Sequence, residues 1–307
     1  MKTQKLFPPL SISAALAALA SLAAPLASTA SMVQEIALAA ELELDGELGA
    51  AAAARRRMAL LEPDSLRAAG WFYLAATDYA GEGRFALSDK MLDRAEDSAP
   101  DALAIPSMAL RAENAYRARD YDSADFYFAS LRGALAADDA DAADAAALRR
   151  LADYAAAGSA AAKLMSWDID GAAALYPDGA AARAAILEYK NAPEKSPRLG
   201  GLLGVVPGLG YAYSGEYGNA LRSLFLNSLF IWGMVEAGER DQWGAFSVLT
   251  FFELTWYTGS IYGGIDAAQR RNRERLDATI DKVRGPAGIP APDKTMLPLI
   301  RLKFDLF

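Results

Sequence analysis

The chain has neither cysteine nor histidine in its 307 residues. Without cysteine there is no disulfide and no thiol nucleophile. Without histidine the usual zinc ligand sets disappear, together with the side chain most often used to move protons near neutral pH. Carboxylate, lysine and tyrosine chemistry remain, but no nucleophile–base pair stands out, so the residues argue against an enzyme and imply neither a cofactor nor a metal. A basic balance is lacking as well: the formal net charge is −8. A nucleic-acid partner normally demands a basic face. The two basic clusters, Arg55-Arg56-Arg57 and Arg270-Arg271 with Arg273 and Arg275, are local, and the first reads as a solvated helix face. Asp138-Asp139-Ala140-Asp141 with Asp144 lacks the glycine and closing glutamate of a calcium loop and reads as capping at an exposed turn.

What is present begins with an address. Met1-Lys2-Thr3-Gln4-Lys5 is a short positive segment, Leu10 to Leu26 is apolar, and Ala27-Ser28-Thr29-Ala30 offers small residues for signal peptidase. Residues 1–30 therefore read as a signal peptide, with an uncleaved anchor as the alternative. Either way the following residues emerge outside the cytoplasm.

Residues 31–190 read as a helical domain. Ile36, Leu38, Leu42, Leu44 and Leu48 predict one helix over Val33 to Leu61, weakly interrupted at Gly46 and Gly49, and Glu62-Pro63-Asp64-Ser65 stops it and caps the next. A pattern then begins to recur. Trp71-Phe72-Tyr73-Leu74-Ala75-Ala76 leads through Tyr79, Gly83-Arg84-Phe85, Ser88, Leu92 and Ala95 to Pro100. A degenerate second copy holds Ala112, Tyr116, Arg119-Asp120-Tyr121-Asp122, Ala124, Phe128 and Leu131. This spacing resembles tetratricopeptide repeats, helix-turn-helix units of about 34 residues in which small residues admit close helices and large ones fill between units. An irregular alanine-rich bundle is the alternative. A third pair is expected between Ala142 and Tyr189, with Leu148, Leu151, Tyr154, Leu164, Trp167, Leu175, Ile186 and Leu187 as core candidates. The aromatic triplets at 71–73 and 126–128 read as inter-helix packing.

The Pro-rich, charged stretch 191–198 reads as a linker to residues 199–282. Two apolar runs, Leu221 to Ala237 and Trp243 to Ile265, flank the polar turn 238–242, and a broken run, Leu199 to Tyr213, precedes them. A bilayer crossing needs about 20 mostly apolar residues, and no polar stripe at the 3.6 period is evident. A membrane-embedded helical hairpin is therefore expected, with a short broken helix ahead of it. Gly208 and Gly210 lack the strand–turn–helix context of a nucleotide site, and the P-loop lysine is missing. They read instead as a turn after Pro207 and as close helix approach.

The string Pro207-Gly208-Leu209-Gly210-Tyr211-Ala212-Tyr213-Ser214-Gly215-Glu216-Tyr217-Gly218 resembles the Pro-Gly-x-Gly-x-x-Tyr-x-Gly signature of small bacterial membrane modules related to the TM2 domain. Gly208, Gly210, Tyr213, Gly215 and Gly218 fall on the matching places, and Tyr211 stands where relatives often carry Gln. The resemblance implies a membrane module and supplies no catalytic residue.

Orientation follows from charge: three crossings put Ala267 to Arg275 in the cytoplasm, in keeping with basic flanks staying inside, whereas a re-entrant first segment leaves two. Glu253 sits mid-run and needs a partner or a proton there. Asn227, Ser228, Tyr211 and Tyr213 are the candidates. Two readings stand, a proton or ion pathway and a protonated, hydrogen-bonded carboxyl. In the tail, 283–307, Ile300 to Leu306 alternates apolar and charged residues, the period of a strand. It looks like the closing strand of an outer-membrane β-barrel, though no other barrel strands accompany it; it suits instead pairing with a partner's sheet edge or an extended segment lying on its own helices.

The expectation is an all-α protein: tetratricopeptide-like hairpins followed by a transmembrane hairpin. Functionally it is a non-enzymatic scaffold of the bacterial envelope, in the inner membrane with its repeats in the periplasm. Its expected partners are the lipid bilayer and an envelope protein. The alternative is a small transport component built around Glu253, self-associated into a homo-oligomer.

Overall fold

In a computed structural model the described residues, 32–136 and 145–285, are all-α, with no strand among them. The signal segment, the acidic run at 138–144 and the tail from 286 onward fall outside these residues. Helix α1 covers 32–44, followed by α2 (Leu48–Leu61), α3 (Ser65–Gly81), α4 (Phe85–Ser98), α5 (Pro100–Arg117), α6 (Tyr121–Ala136) and α7 (Ala145–Met165). Then come α8 (Ile169–Ala174), α9 (Ala181–Asn191), α10 (Pro197–Leu203), α11 (Leu209–Ser214), α12 (Tyr217–Glu239) and α13 (Trp243–Arg284). The chain divides into two compact units between Ala162 and Lys163, inside the last turn of α7 rather than at the connector 191–198.

The first unit is built from consecutive antiparallel helices, and one turn design joins several of them. At Gly83 the backbone is left-handed (φ 78°), and the Arg84 N–H closes back on Tyr79 O at 2.8 Å. Arg119 (φ 64°) repeats this, with Asp120 N–H on Ala115 O at 2.9 Å. Gly46 (φ 80°) does the same, with Glu47 N–H on Leu42 O, so the helix expected over 33–61 is two helices. The bond pattern satisfies the last carbonyls of each helix, and glycine takes the left-handed site without steric cost. Buried positions also recur at the interval that separates Gly83 from Arg119. Ala76 matches Ala112, Ser88 matches Ala124, Leu92 matches Phe128 and Ala95 matches Leu131, all fully buried. One core joins Phe72, Tyr73, Tyr79, Met91, Leu92, Leu103 and Leu110; another joins Phe128, Leu131, Leu135, Leu151 and Tyr154.

Some packing expectations need correction. Arg55 lies not on a solvated face but 8 % exposed, ion-paired with Asp78 and Glu43, while Arg56 and Arg57 are exposed. Trp167 is not a core residue. It is 64 % exposed and occupies the left-handed turn before α8 (φ 66°), with Asp168 N–H on Lys163 O. A left-handed backbone costs an ordinary residue about 1–2 kcal/mol, and glycine returns part of that as chain entropy. Trp167→Gly should therefore raise unfolding free energy by about 0.5–1 kcal/mol in denaturant titration. A loss of stability would mean that the exposed ring contributes packing.

In the second unit α9, α10, α11 and α12 all pack against the 42-residue α13. The connector is fastened to that helix: Lys195 N–H donates to Asn272 Oδ1 (2.9 Å), Asn272 Nδ2 donates to Lys195 O (2.8 Å), and Arg275 donates to the carbonyls of Tyr189, Ala192 and Pro193. Arg270 holds Glu216 through three contacts of 2.9–3.0 Å. The basic cluster expected to lie in the cytoplasm is thus partly spent inside this unit.

No helix among the described residues is long and apolar enough to cross a membrane. This overturns the expected transmembrane hairpin, and the membrane assignment and inner-membrane placement argued from it go too. Helices α12 and α13 have the length, but Arg222, Ser223, Asn227, Ser228 and Glu236 interrupt the first, and Glu253 with its flanking threonines, glycines and tyrosines dilutes the second. Length and the missing polar stripe had carried the expectation, and neither measures the mean hydropathy of the run.

Candidate functional site at the glycine junction

The motif residues mostly gather where α10, α11 and α12 meet α13. Pro207 lies in the turn between α10 and α11, half-buried. Gly208 is left-handed (φ 86°), and a Cβ there would stand 2.3 Å from Ala220 O. Gly210 faces Gly200 O and Gly264 Cα, at 2.4 and 2.8 Å from an added Cβ. Gly215 takes the left-handed site that ends α11 (φ 88°) with open space around it, and a Cβ at Gly218 would meet nothing within 4 Å. The motif therefore mixes two demands, backbone sign at Gly208 and Gly215 and contact at Gly208 and Gly210. Tyr213 fastens the connector: its hydroxyl accepts from Ser196 N–H at 3.0 Å, and Lys195 Nζ sits 4.5 Å from the ring centre.

Residues outside the motif complete the junction. A Cβ on Gly264 would approach Gly200 O to 2.3 Å, and one on Gly204 would come within 2.7 Å of Ser260 O. The Tyr211 hydroxyl lies over Gly263 and occupies the space of a side chain there. The signal for these positions was the four-residue spacing of small residues, Gly200 to Gly204 and Ser260 to Gly264, which lets helix backbones touch.

A hydroxyl chain runs beneath the junction. Gly208 N–H donates to Ser260 Oγ (3.2 Å), Ser223 Oγ lies 3.2 Å from Ser260 Oγ, and Asn227 Nδ2 donates to Ser223 O at 2.6 Å. Asn227 is 1 % exposed and its Oδ1 has no partner among the described residues. Glu253 is 8 % exposed, its Oε2 is buried without a partner among the described residues, and burial pushes its carboxyl above the ordinary carboxylate range. It forms no hydrogen bond with any of the four partners expected for it. The structure thus buries Glu253 and Asn227 without linking them by a hydrogen bond.

Beside the hydroxyl chain a pocket of about 330 Å³ opens between α11, α12 and α13. Comparison with protein-family models, with curated proteins and with solved structures finds no match.

Proposed function

We propose that this chain is a non-enzymatic scaffold of the bacterial envelope whose first unit, a tetratricopeptide-like stack of helix hairpins, holds a protein partner. The observation that carries the reading is the equivalence of α3/α4 and α5/α6: the same left-handed turn and the same four buried positions return at one interval. Repeated helix pairs stack into an extended surface suited to partner recognition rather than a closed catalytic cleft. A chain without histidine or cysteine suits that role. The envelope address rests on the amino-terminal signal pattern.

The surface offers a place to look. Phe126, expected to pack between helices, is 66 % exposed and stands edge-on to Tyr127 with ring centres 5.4 Å apart. A photo-crosslinking amino acid at Phe126, in full-length chain expressed in its host, should give one discrete adduct with another protein. The same group at exposed Arg56 should give none. Equal, diffuse labelling from both positions would count against a partner-holding unit.

A further inference from the structure

The pocket in the second unit has a feature the scaffold reading does not use. Its cation, Arg222, is exposed and meets no carboxylate among the described residues. Its guanidinium, with five N–H donors, makes one hydrogen bond among the described residues, 3.4 Å to the neutral Asn219 Oδ1. The nearest acid in this network, Glu216, accepts from Asn219 Nδ2 at 2.6 Å, but its charge is already taken up by Arg270. The pocket's two serine hydroxyls are occupied, since Ser223 and Ser260 bond each other and Ser260 also accepts from Gly208 N–H. The pocket thus sets one positive charge beside an apolar wall of Trp256 and Leu226, with Tyr211 closing the α11 side.

That wall continues. Phe252 lies one turn before Trp256 on α13, and Phe230 one turn beyond Leu226 on α12, positions that share a helix face. The Phe230 and Phe252 rings stack with centres 6.4 Å apart, and Phe252 and Trp256 are each 48 % exposed. An apolar seam therefore leads from the pocket along α12 and α13.

We propose that this pocket binds a single-chain lipid amphiphile, its anionic head on Arg222 and its hydrocarbon chain along the Trp256–Phe252 seam. Size, charge and shape agree. At roughly 30 Å³ per small group, the cavity holds a head and several methylenes, and the seam takes the rest. Pockets of this size combine apolar walls with a few placed polar groups. An anion on a guanidinium makes hydrogen bonds in which both partners are charged, often two in parallel, which a neutral head cannot match. The occupant is an individual amphiphile molecule, recognised at both ends.

The test uses the full-length chain and isothermal titration calorimetry with decanoate, decanol and acetate, all below micelle-forming concentrations. Decanoate should saturate a single site. Decanol should bind about tenfold weaker, having lost the ion pair, and acetate more than about a hundredfold weaker, having lost the buried methylenes. Arg222→Gln should reduce decanoate to the level of decanol, and Arg222→Lys should restore part of the difference. Equal binding of decanol and decanoate, or an unchanged Arg222→Gln titration, would reduce the seam to a general apolar surface and overturn the proposal. So would acetate as strong as decanoate, which indicates a plain anion site. Absence of saturable binding by wild type, with dimers in sedimentation velocity, would assign the seam to a second copy of the chain and overturn it as well.

Discussion

Arg55→Met should destabilise the first unit by about 3–5 kcal/mol at pH 8, the range for removing one partner of a buried ion pair. Arg55 donates to both carboxylate oxygens of Asp78 and to Glu43 Oε2 at 2.5 Å. Arg55 and Asp78 are only 8 % and 4 % exposed. Burial pushes the Asp78 carboxyl up to about 6, against the pull of Arg55. Because the folded value lies above the unfolded one near 4, the group's contribution to stability is fully present below about 4 and is lost as pH rises through about 6. Removing the guanidinium raises the folded value further, so the penalty is largest at pH 8 and shrinks at pH 5. Urea unfolding of the variant at both pH values measures the difference. Arg55→Met with Asp78→Leu should recover most of the loss, since an apolar replacement of a buried pair is often neutral. A single variant within about 1 kcal/mol of wild type at pH 8, less than any buried pair costs when broken, would show that the three groups are not coupled in the folded unit.

That cluster marks where sequence reading ran out. The helices themselves were legible: Asp64 caps α3 by accepting Arg67 N–H at 2.9 Å, as its place before an apolar run suggested. The recurring small and large residues foretold Ala112, Ala124, Phe128 and Leu131 as buried. Arg55 was illegible because its partners are distant in sequence, Glu43 on α1 and Asp78 on α3, and three successive arginines look alike until the helix turns one of them inward. The apolar runs misled for a related reason: a run counted by length ignores the polar side chains placed within it. At the candidate site the string from Pro207 to Gly218 was visible, but its contacts were half hidden. Gly208 and Gly210 press on Ala220, Gly200 and Gly264, far apart in the chain, and only the folded junction shows which glycines are held by space and which by backbone sign.

Gly264→Val is expected to lower the stability of the second unit by about 3 kcal/mol, the upper end of the overpacking range. Most overpacked sites relax by rotating a side chain, and this one has none to rotate. An added Cβ meets Gly200 O at 2.3 Å, Gly200 C at 3.0 Å and Gly210 Cα at 3.1 Å, all of them backbone. Relief requires α10 and α11 to move off α13, which draws apart the backbones around Ser260 and the Gly208 N–H bond that depends on it. Gly259 supplies the control on the same helix. A Cβ there meets nothing within 4 Å, and exchanging a helical glycine for alanine gains up to about 1 kcal/mol. The two variants should therefore move the thermal midpoint of the second unit in opposite directions, although they lie little more than one helical turn apart. If Gly264→Val melts with wild type, the backbones do not meet at this junction, and the glycines of α10, α11 and α13 need another explanation than close approach.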